Sequence, residues 1–264
     1  MTVDVLAAQE LAASLLRGTG DRWRHTQSAA AAAAEAAHSV TEADRDILVA
    51  AAWLHDIGYQ HPRPPTGFHP LDGAHLLLER GWPRRLAALV AHHSEARFLA
   101  SAQGLQQALD AFEREDGDVV DALVYADMTA GPDGRRLTLR ERLPEIRRRH
   151  ADSPPHVLAA RVAREPHLIL AAARVDVRLW QLGQHHHHAF PLPDRDDEPD
   201  TARIVPQIAP EHPRRQPLDL HAAIHAARSL VPPSAEPRAA EVARCAGELL
   251  MGTLTLAGDG TPRR

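Results

Sequence analysis

The chain has 264 residues and is 44% hydrophobic but only 4% aromatic, which is enough for one good-sized domain with an appendage, or two small domains, cored by closely packed helices rich in Leu, Val and Ala. A formal net charge of -5 argues against a general nucleic-acid binder, and the absence of lysine excludes Schiff-base and lysine-base chemistry, leaving arginine to clamp phosphate. The single cysteine, Cys245, excludes an intrachain disulfide and a thiolate metal cluster.

The first turns carry Asp4 and Glu10 rather than a basic leader, and no apolar run reaches the roughly 20 residues of a membrane span. No membrane partner and a cytoplasmic location are therefore expected. Val3 to Leu16 reads as an amphipathic helix, and Arg22 to Ala37 as a second, alanine-rich one carrying His25. Thr41-Glu42-Ala43-Asp44 has the outline of a capping box and opens a helix ending at His55-Asp56, with Gly58 as its stop. Tyr59 to Phe68, with its prolines and Gly67, reads as a loop. Helices are predicted for Pro70 to Glu79, from Pro83 into His92-His93, and for Gln103 to Arg114, Val119 to Met128, Leu137 to His150 and Pro155 to Leu182, the last kinked or split by Pro166. No alternating strand pattern is present, so the domain reads as all-α.

The composition changes near residue 184. The expected division is a domain over 1–183, a flexible Pro/His/acidic linker over 184–216 containing His185 to His188, and a short helical or disordered tail over 217–264, with helices at Leu218 to Leu230 and Glu236 to Leu250. The histidine run binds nickel or zinc in principle, yet it lacks the surroundings that orient ligands, and low complexity is the better reading.

The residues that carry chemistry come earlier. His55-Asp56 ends the apolar run Ile47 to Leu54, and His25, His69, His92-His93 and Asp127 each lie on or beside a separate predicted helix. Imidazole and carboxylate are the donors that borderline divalent metals accept, and ligands from several helices converge when those helices surround one pocket. Asp127 shares a helical face with Val120, Leu123 and Val124, where an unpaired carboxylate would be costly and a metal would remove the cost. The alternatives are a surface or core histidine for His25, a loop residue for His69, and solvent exposure for one of His92 and His93. Asp72 reads as an early-helix carboxylate and His75 as an ordinary helical histidine. Arg63, Arg97, Arg135 and Arg136 lie near the ligand segments and are candidates for holding phosphate, against the alternative of solvated surface arginines.

His25, His55, Asp56 and Asp127 resemble the His, His-Asp, Asp pattern of the HD-domain metal-dependent phosphohydrolase superfamily, over roughly Leu11 to Trp180. Phe68-His69-Pro70 and His92-His93 resemble the additions by which some branches hold a second metal. The resemblance implies an all-α HD-domain helical bundle with a largely flexible C-terminal appendage, and one or two divalent ions (Mn, Mg, Fe, Co, Ni or Zn). It also implies hydrolysis of a small phosphorylated substrate by metal-activated water, with His55 and Asp56 at the catalytic centre and Asp56 bridging if two ions bind. Tyr59 follows Gly58 where many cyclic-dinucleotide phosphodiesterases have Lys, and no Gly-Tyr-Pro follows His92-His93, which argues against that substrate. An HD-type di-iron oxygenase resembles this chain in ligand order, and a degenerate, non-catalytic nucleotide-binding HD domain is a further alternative against which the intact tetrad weighs. Neither the substrate nor the oligomeric state is legible.

Overall fold

The structure, a computed structural model, describes residues 3–62, 64–183, 189–190 and 237–258. Among them the architecture is all-helical, with one isolated antiparallel bridge between Ala130 and Arg136. In chain order the helices are α1 (Val5–Leu16), α2 (Asp21–Ala36), α3 (Arg45–Leu54), α4 (His69–Glu79), α5 (Arg84–His92), α6 (Ala96–Ala102), α7 (Gln106–Leu109), α8 (Asp118–Met128), α9 (Leu139–Arg149), α10 (Pro155–Gln181) and α11 (Pro237–Gly258). None of these helices is long and apolar enough to cross a membrane.

Small side chains set the packing. Ala29, Ala30, Ala32, Ala33 and Ala36 are buried along α2, and Ala50, Ala51 and Ala52 along α3. With only a methyl group at each position, these helices approach one another closely, and α2 packs on both α3 and α8. Larger residues fill the space between: Leu48, Leu54, Ile57, Leu71, Leu77 and Tyr125 are fully enclosed, each aliphatic side chain contributing about 1.5–3 kcal/mol by leaving water. The face between α8 and α10 is joined by a forked ion pair in which Arg174 Nε donates to Asp121 at 2.7 Å and its NH2 group contacts the second oxygen.

Local signals account for most helix ends. Asp4 caps α1, accepting from the backbone N–H groups of Leu6 and Ala7 at 2.9 and 3.1 Å. A reciprocal capping box, Thr138 with Glu141, opens α9. The box expected at Thr41 is not made. Thr41 donates to the Asp44 carboxylate at 3.0 Å, Glu42–Asp44 forms a 3₁₀ turn, and α3 starts at Arg45.

The helix expected over Gln103 to Arg114 is also corrected. Gly104 at φ +72° turns the chain, so that α6 ends before it and only the single turn of α7 follows. Pro166 does not split α10, which runs unbroken for 27 residues. The long buried run from Leu168 to Ala173 offsets the one backbone donor that proline removes.

Gly58 does more than stop a helix. It lies in the 3₁₀ turn Ile57–Gln60 directly after Asp56, and a Cβ there would overlap the carbonyl of His69 and the backbone nitrogen of Gly73. Gly73 mirrors it, since a Cβ on Gly73 would sit 3.2 Å from the Gly58 nitrogen. Two glycines thus let the turn after His55-Asp56 press against the start of α4, which carries His69.

Described residues beyond the expected boundary at 183/184 pack against the same core. The backbone N–H groups of Ala189 and Phe190 donate to Asp176 at 3.2 and 3.1 Å, and Phe190 is fully buried. On α11, Val242, Cys245, Ala246 and Leu250 are buried, and Thr253 donates to Glu165 of α10 at 3.1 Å. The linker at 184–188 and 191–216, the helix expected at Leu218 to Leu230 and the histidine run lie outside the described residues.

Two outcomes follow. Gly58→Ala is expected to cost about 3 kcal/mol or more through backbone overlap, read as a fall in the urea midpoint with an unchanged slope. Truncation after Leu182 uncovers the α10 face, and a fall of several degrees in the thermal midpoint is expected. Tightly bound metal should be retained, since every candidate ligand precedes residue 130.

Candidate metal centre

Five elements bring the candidate ligands together. His25 comes from the first turns of α2, and His55 and Asp56 follow the end of α3. His69 opens α4 and His93 follows α5. Asp127 lies in the last turn of α8.

Their reactive atoms form two overlapping triads, His25–His55–Asp56 and Asp56–His69–His93, within each of which the ligand atoms lie no more than 4.8 Å apart. Asp56 belongs to both. Its Oδ2 is 3.8 Å from His25 Nε2 and 3.4 Å from His55 Nε2, while its Oδ1 is 3.4 Å from His69 Nε2. Asp127 Oδ1 joins the first group at 3.1 Å from His25 Nε2 and 3.9 Å from His55 Nε2.

Backbone carbonyls aim the rings. His25 Nδ1 faces the Ala130 carbonyl at 3.2 Å, His55 Nδ1 that of Ala52 at 2.8 Å, and His93 Nδ1 that of Val90 at 2.6 Å. With Nδ1–H donating, each Nε2 is left with a lone pair pointing inward, the arrangement that prepares histidine for a metal. The lone pairs then face one another: His25 and His55 Nε2 are 3.3 Å apart, as are His69 and His93 Nε2. Neutral rings held this way repel unless a proton or a cation lies between them. This donor set therefore fits one or two divalent ions, held by imidazole nitrogen and carboxylate oxygen.

The electrostatics point the same way. Burial would raise the Asp56 and Asp127 carboxyls, but His55, Arg22 and His69 hold Asp56, and His25, His55 and Arg142 hold Asp127, well below the usual range. Burial works against charge on His55, yet Asp56 and Asp127 outweigh it and push that imidazole up to about 9. Burial and the His55 charge push His93 down to about 4, and burial first, then His93, Arg22 and His55, keep His69 well below the ordinary value.

Not every sequence candidate reaches this centre. His92 turns the other way, its Nε2 facing the Phe112 carbonyl at 2.9 Å. Consecutive helical residues diverge by about 100°, so only one of the pair reaches the cluster. The chain then folds sharply: Ser94 and Glu95 take φ of +48° and +56°, strained for residues with side chains. That turn lets the Ser94 hydroxyl donate to Asp127 Oδ2.

Arg97 pairs with Glu95, Arg135 with Asp133, and Arg136 with Glu35, and none of the three lines the cavity over the cluster. Arg63 lies outside the described residues. The arginines that do line it are Arg22, Arg142, Arg149, Arg161 and Arg164, in a cavity of about 360 Å³. Proximity in sequence missed them because α9 and α10 reach the site through folding. One signal was available for Arg22, which precedes His25 by three residues and so shares its helical face.

Arg22 donates to Asp56 Oδ2 at 2.6 Å and lies 3.8 Å from the centre of the Tyr59 ring, which stacks on His69 at 4.0 Å. Asp72, read from sequence as an early-helix carboxylate, is buried and accepts from the Thr66 backbone at 2.9 Å and its hydroxyl at 2.7 Å, bracing the loop over the cavity.

Residues 22–143 match the HD domain family. That segment of the chain is an HD domain. The match takes in α2 through the start of α9 and so includes every member of both triads, while most of α9, α10 and α11 lie beyond it. No curated protein and no solved structure matches the chain.

A pH effect follows from the HD centre. A metal requires the Nε2 lone pair of His55, whose folded pKa of about 9 keeps it protonated at neutral pH in the metal-free protein. Metal uptake at pH 7.5 should release about one proton per chain, and affinity should climb with pH until it levels near that pKa. Calorimetric titration in buffers of different ionisation enthalpy measures the proton count directly.

Proposed function

We propose that this HD-domain chain hydrolyses a phosphate ester of a small molecule. In this reading His25, His55, Asp56 and Asp127 hold one divalent ion, and Asp56, His69 and His93 hold a second. The observation that carries the reading is the sharing of Asp56, whose two carboxylate oxygens face different sets of inward-pointing imidazoles. One carboxylate spanning two ligand sets is the feature that suits a pair of ions acting on one phosphoryl group.

Bound there, the ions would supply a water acidified for attack on phosphorus and positive charge for the phosphoryl oxygens. The chain's own residues do the positioning. Carbonyl-anchored imidazoles fix the ligand directions, and Ser94 and Arg142 steady Asp127, the latter at 3.7 Å. Arg22, beside Asp56 on the cavity wall, is placed to meet a phosphoryl oxygen with its planar fork. The cavity suits a small substrate rather than a polymer.

The test is phosphate release from a panel of phosphate monoesters and diesters by metal-replete protein, with and without oxygen. Metal-dependent release that is indifferent to oxygen supports the reading, and an obligatory oxygen requirement with no phosphate release overturns it. Asp56→Ala is expected to remove bound metal and lower turnover about 10³-fold or more, the scale of losing a principal catalytic group. His69→Ala should bring the metal content from two ions per chain toward one. An unchanged stoichiometry would show that His69 belongs to no metal site.

A further inference from the structure

We propose that the outer wall of the cavity is a second anion subsite, so that the substrate carries another phosphate beyond the one that is cleaved. The inference rests on the phosphohydrolase reading above and concerns a different part of the cavity.

The wall holds more positive charge than its own carboxylates satisfy. Arg22 is engaged by Asp56, while Arg142 and Arg149 each contact Glu145 at 2.6 Å. Asp72 is taken up by Thr66, and Asp127 by His25, Ser94 and Arg142. Among the described residues, Arg161 and Arg164 form no ion pair with a carboxylate. Arg164 NH1 donates to the Ser94 carbonyl at 3.1 Å, and Arg161 Nε is buried with no hydrogen-bond partner.

The two stand three residues apart on α10 and so share one helical face. Burial works against charge on both, with repulsion from Arg149 at Arg161 and from Arg161 at Arg164; Asp127 and Glu165 offset part of this at Arg164, which still falls to about 10. His150, also on the wall, is held down to about 4 by burial and by Arg161, Arg149 and Arg164, so it adds a neutral polar edge at neutral pH.

Two guanidiniums one turn apart, neither in an ion pair among the described residues, face the cavity. The group that relieves such a pair is an anion with several acceptor oxygens around one centre, which is what a phosphate offers to two forks at once. The cleaved phosphate belongs at the metal centre, where Arg22 and Arg142 already lie beside the ligand carboxylates. Arg164 feels Asp127 only at longer range, and neither Arg161 nor Arg164 forms a direct ion pair with those carboxylates, so their forks are placed to receive a different group. Arg149, Arg161 and Arg164 lie past residue 143, where the family match ends.

The experiment uses full-length, metal-loaded protein and two sets of non-hydrolysable probes, alkylphosphonates and α,ω-alkylbisphosphonates of matched chain length, with affinity measured by calorimetry. Because the preference is measured on binding, it is independent of turnover, which is followed separately as phosphate release from p-nitrophenyl phosphate. At least one bisphosphonate should bind about tenfold or more tightly than its matched monophosphonate, about 1.4 kcal/mol. That advantage should fall at least threefold in Arg161→Gln or Arg164→Gln. If either variant is misfolded by circular dichroism, Arg161→Lys or Arg164→Lys, which keeps the charge but loses the fork, is read by the same criterion.

A wild-type advantage below tenfold, or one that changes less than threefold in both variants, overturns the subsite. Bisphosphonate preference without any phosphate release leaves the subsite standing and removes the proposed reaction. Phosphate release without the preference does the reverse.

Discussion

Two carboxylates and four imidazoles crowd into one buried space, and nearly every local peculiarity of the chain serves to hold them there. Buried carboxylates are costly unless matched by positive charge. Here Arg22 and a protonated His55 supply part of that match, and a cation taking the place of the His55 proton among the converging Nε2 atoms would supply the rest. The alanine-rich seams between α2, α3 and α8 bring three ligand-bearing helix segments close enough for this, the Gly58–Gly73 contact brings α4, and the end of α5 supplies His93.

Direction matters as much as proximity. Three of the four imidazoles in the cluster are aimed by a backbone carbonyl, and for His55 and His93 that carbonyl lies three residues earlier, at the end of the same helix. A histidine placed just where a helix stops finds a carbonyl that has no intrahelical donor. It uses that acceptor to fix its own ring. The helix ends at Leu54 and His92 are therefore part of the site's construction and also its entry points.

Much of this was legible in the sequence. Apolar periodicity broken by Gly and Pro marks most of the helices, and the adjacency of His55 and Asp56 at the end of an apolar run singles out the centre. What could not be read is choice among near equals and convergence from afar. His92 and His93 have the same chemistry and the same position at a helix end; only the backbone turn through Ser94 and Glu95 decides that His93 faces inward. The arginines near the ligand segments in sequence, Arg97, Arg135 and Arg136, pair locally with acidic neighbours. Those that reach the cavity from α9 and α10 do so because two later helices lie across it. The helix expected over Gln103 to Arg114 failed for a simpler reason, a glycine in a left-handed turn outweighing the apolar pattern around it.

Helix α10 is a rod of 27 residues, about 40 Å at 1.5 Å per residue, and it borders two different neighbours. Near its start it lines the cavity with Arg161 and Arg164. The very next residue, Glu165, is gripped by Arg147 of α9, with Nε donating at 2.8 Å, and by Thr253 of α11. Farther along, Asp176 receives the backbone of Ala189 and Phe190. The cavity wall and the C-terminal helix thus meet adjacent faces of one stiff element. Thr253 of α11 holds the residue next to Arg164, which ties a segment far in sequence from the metal ligands directly to the wall of their cavity.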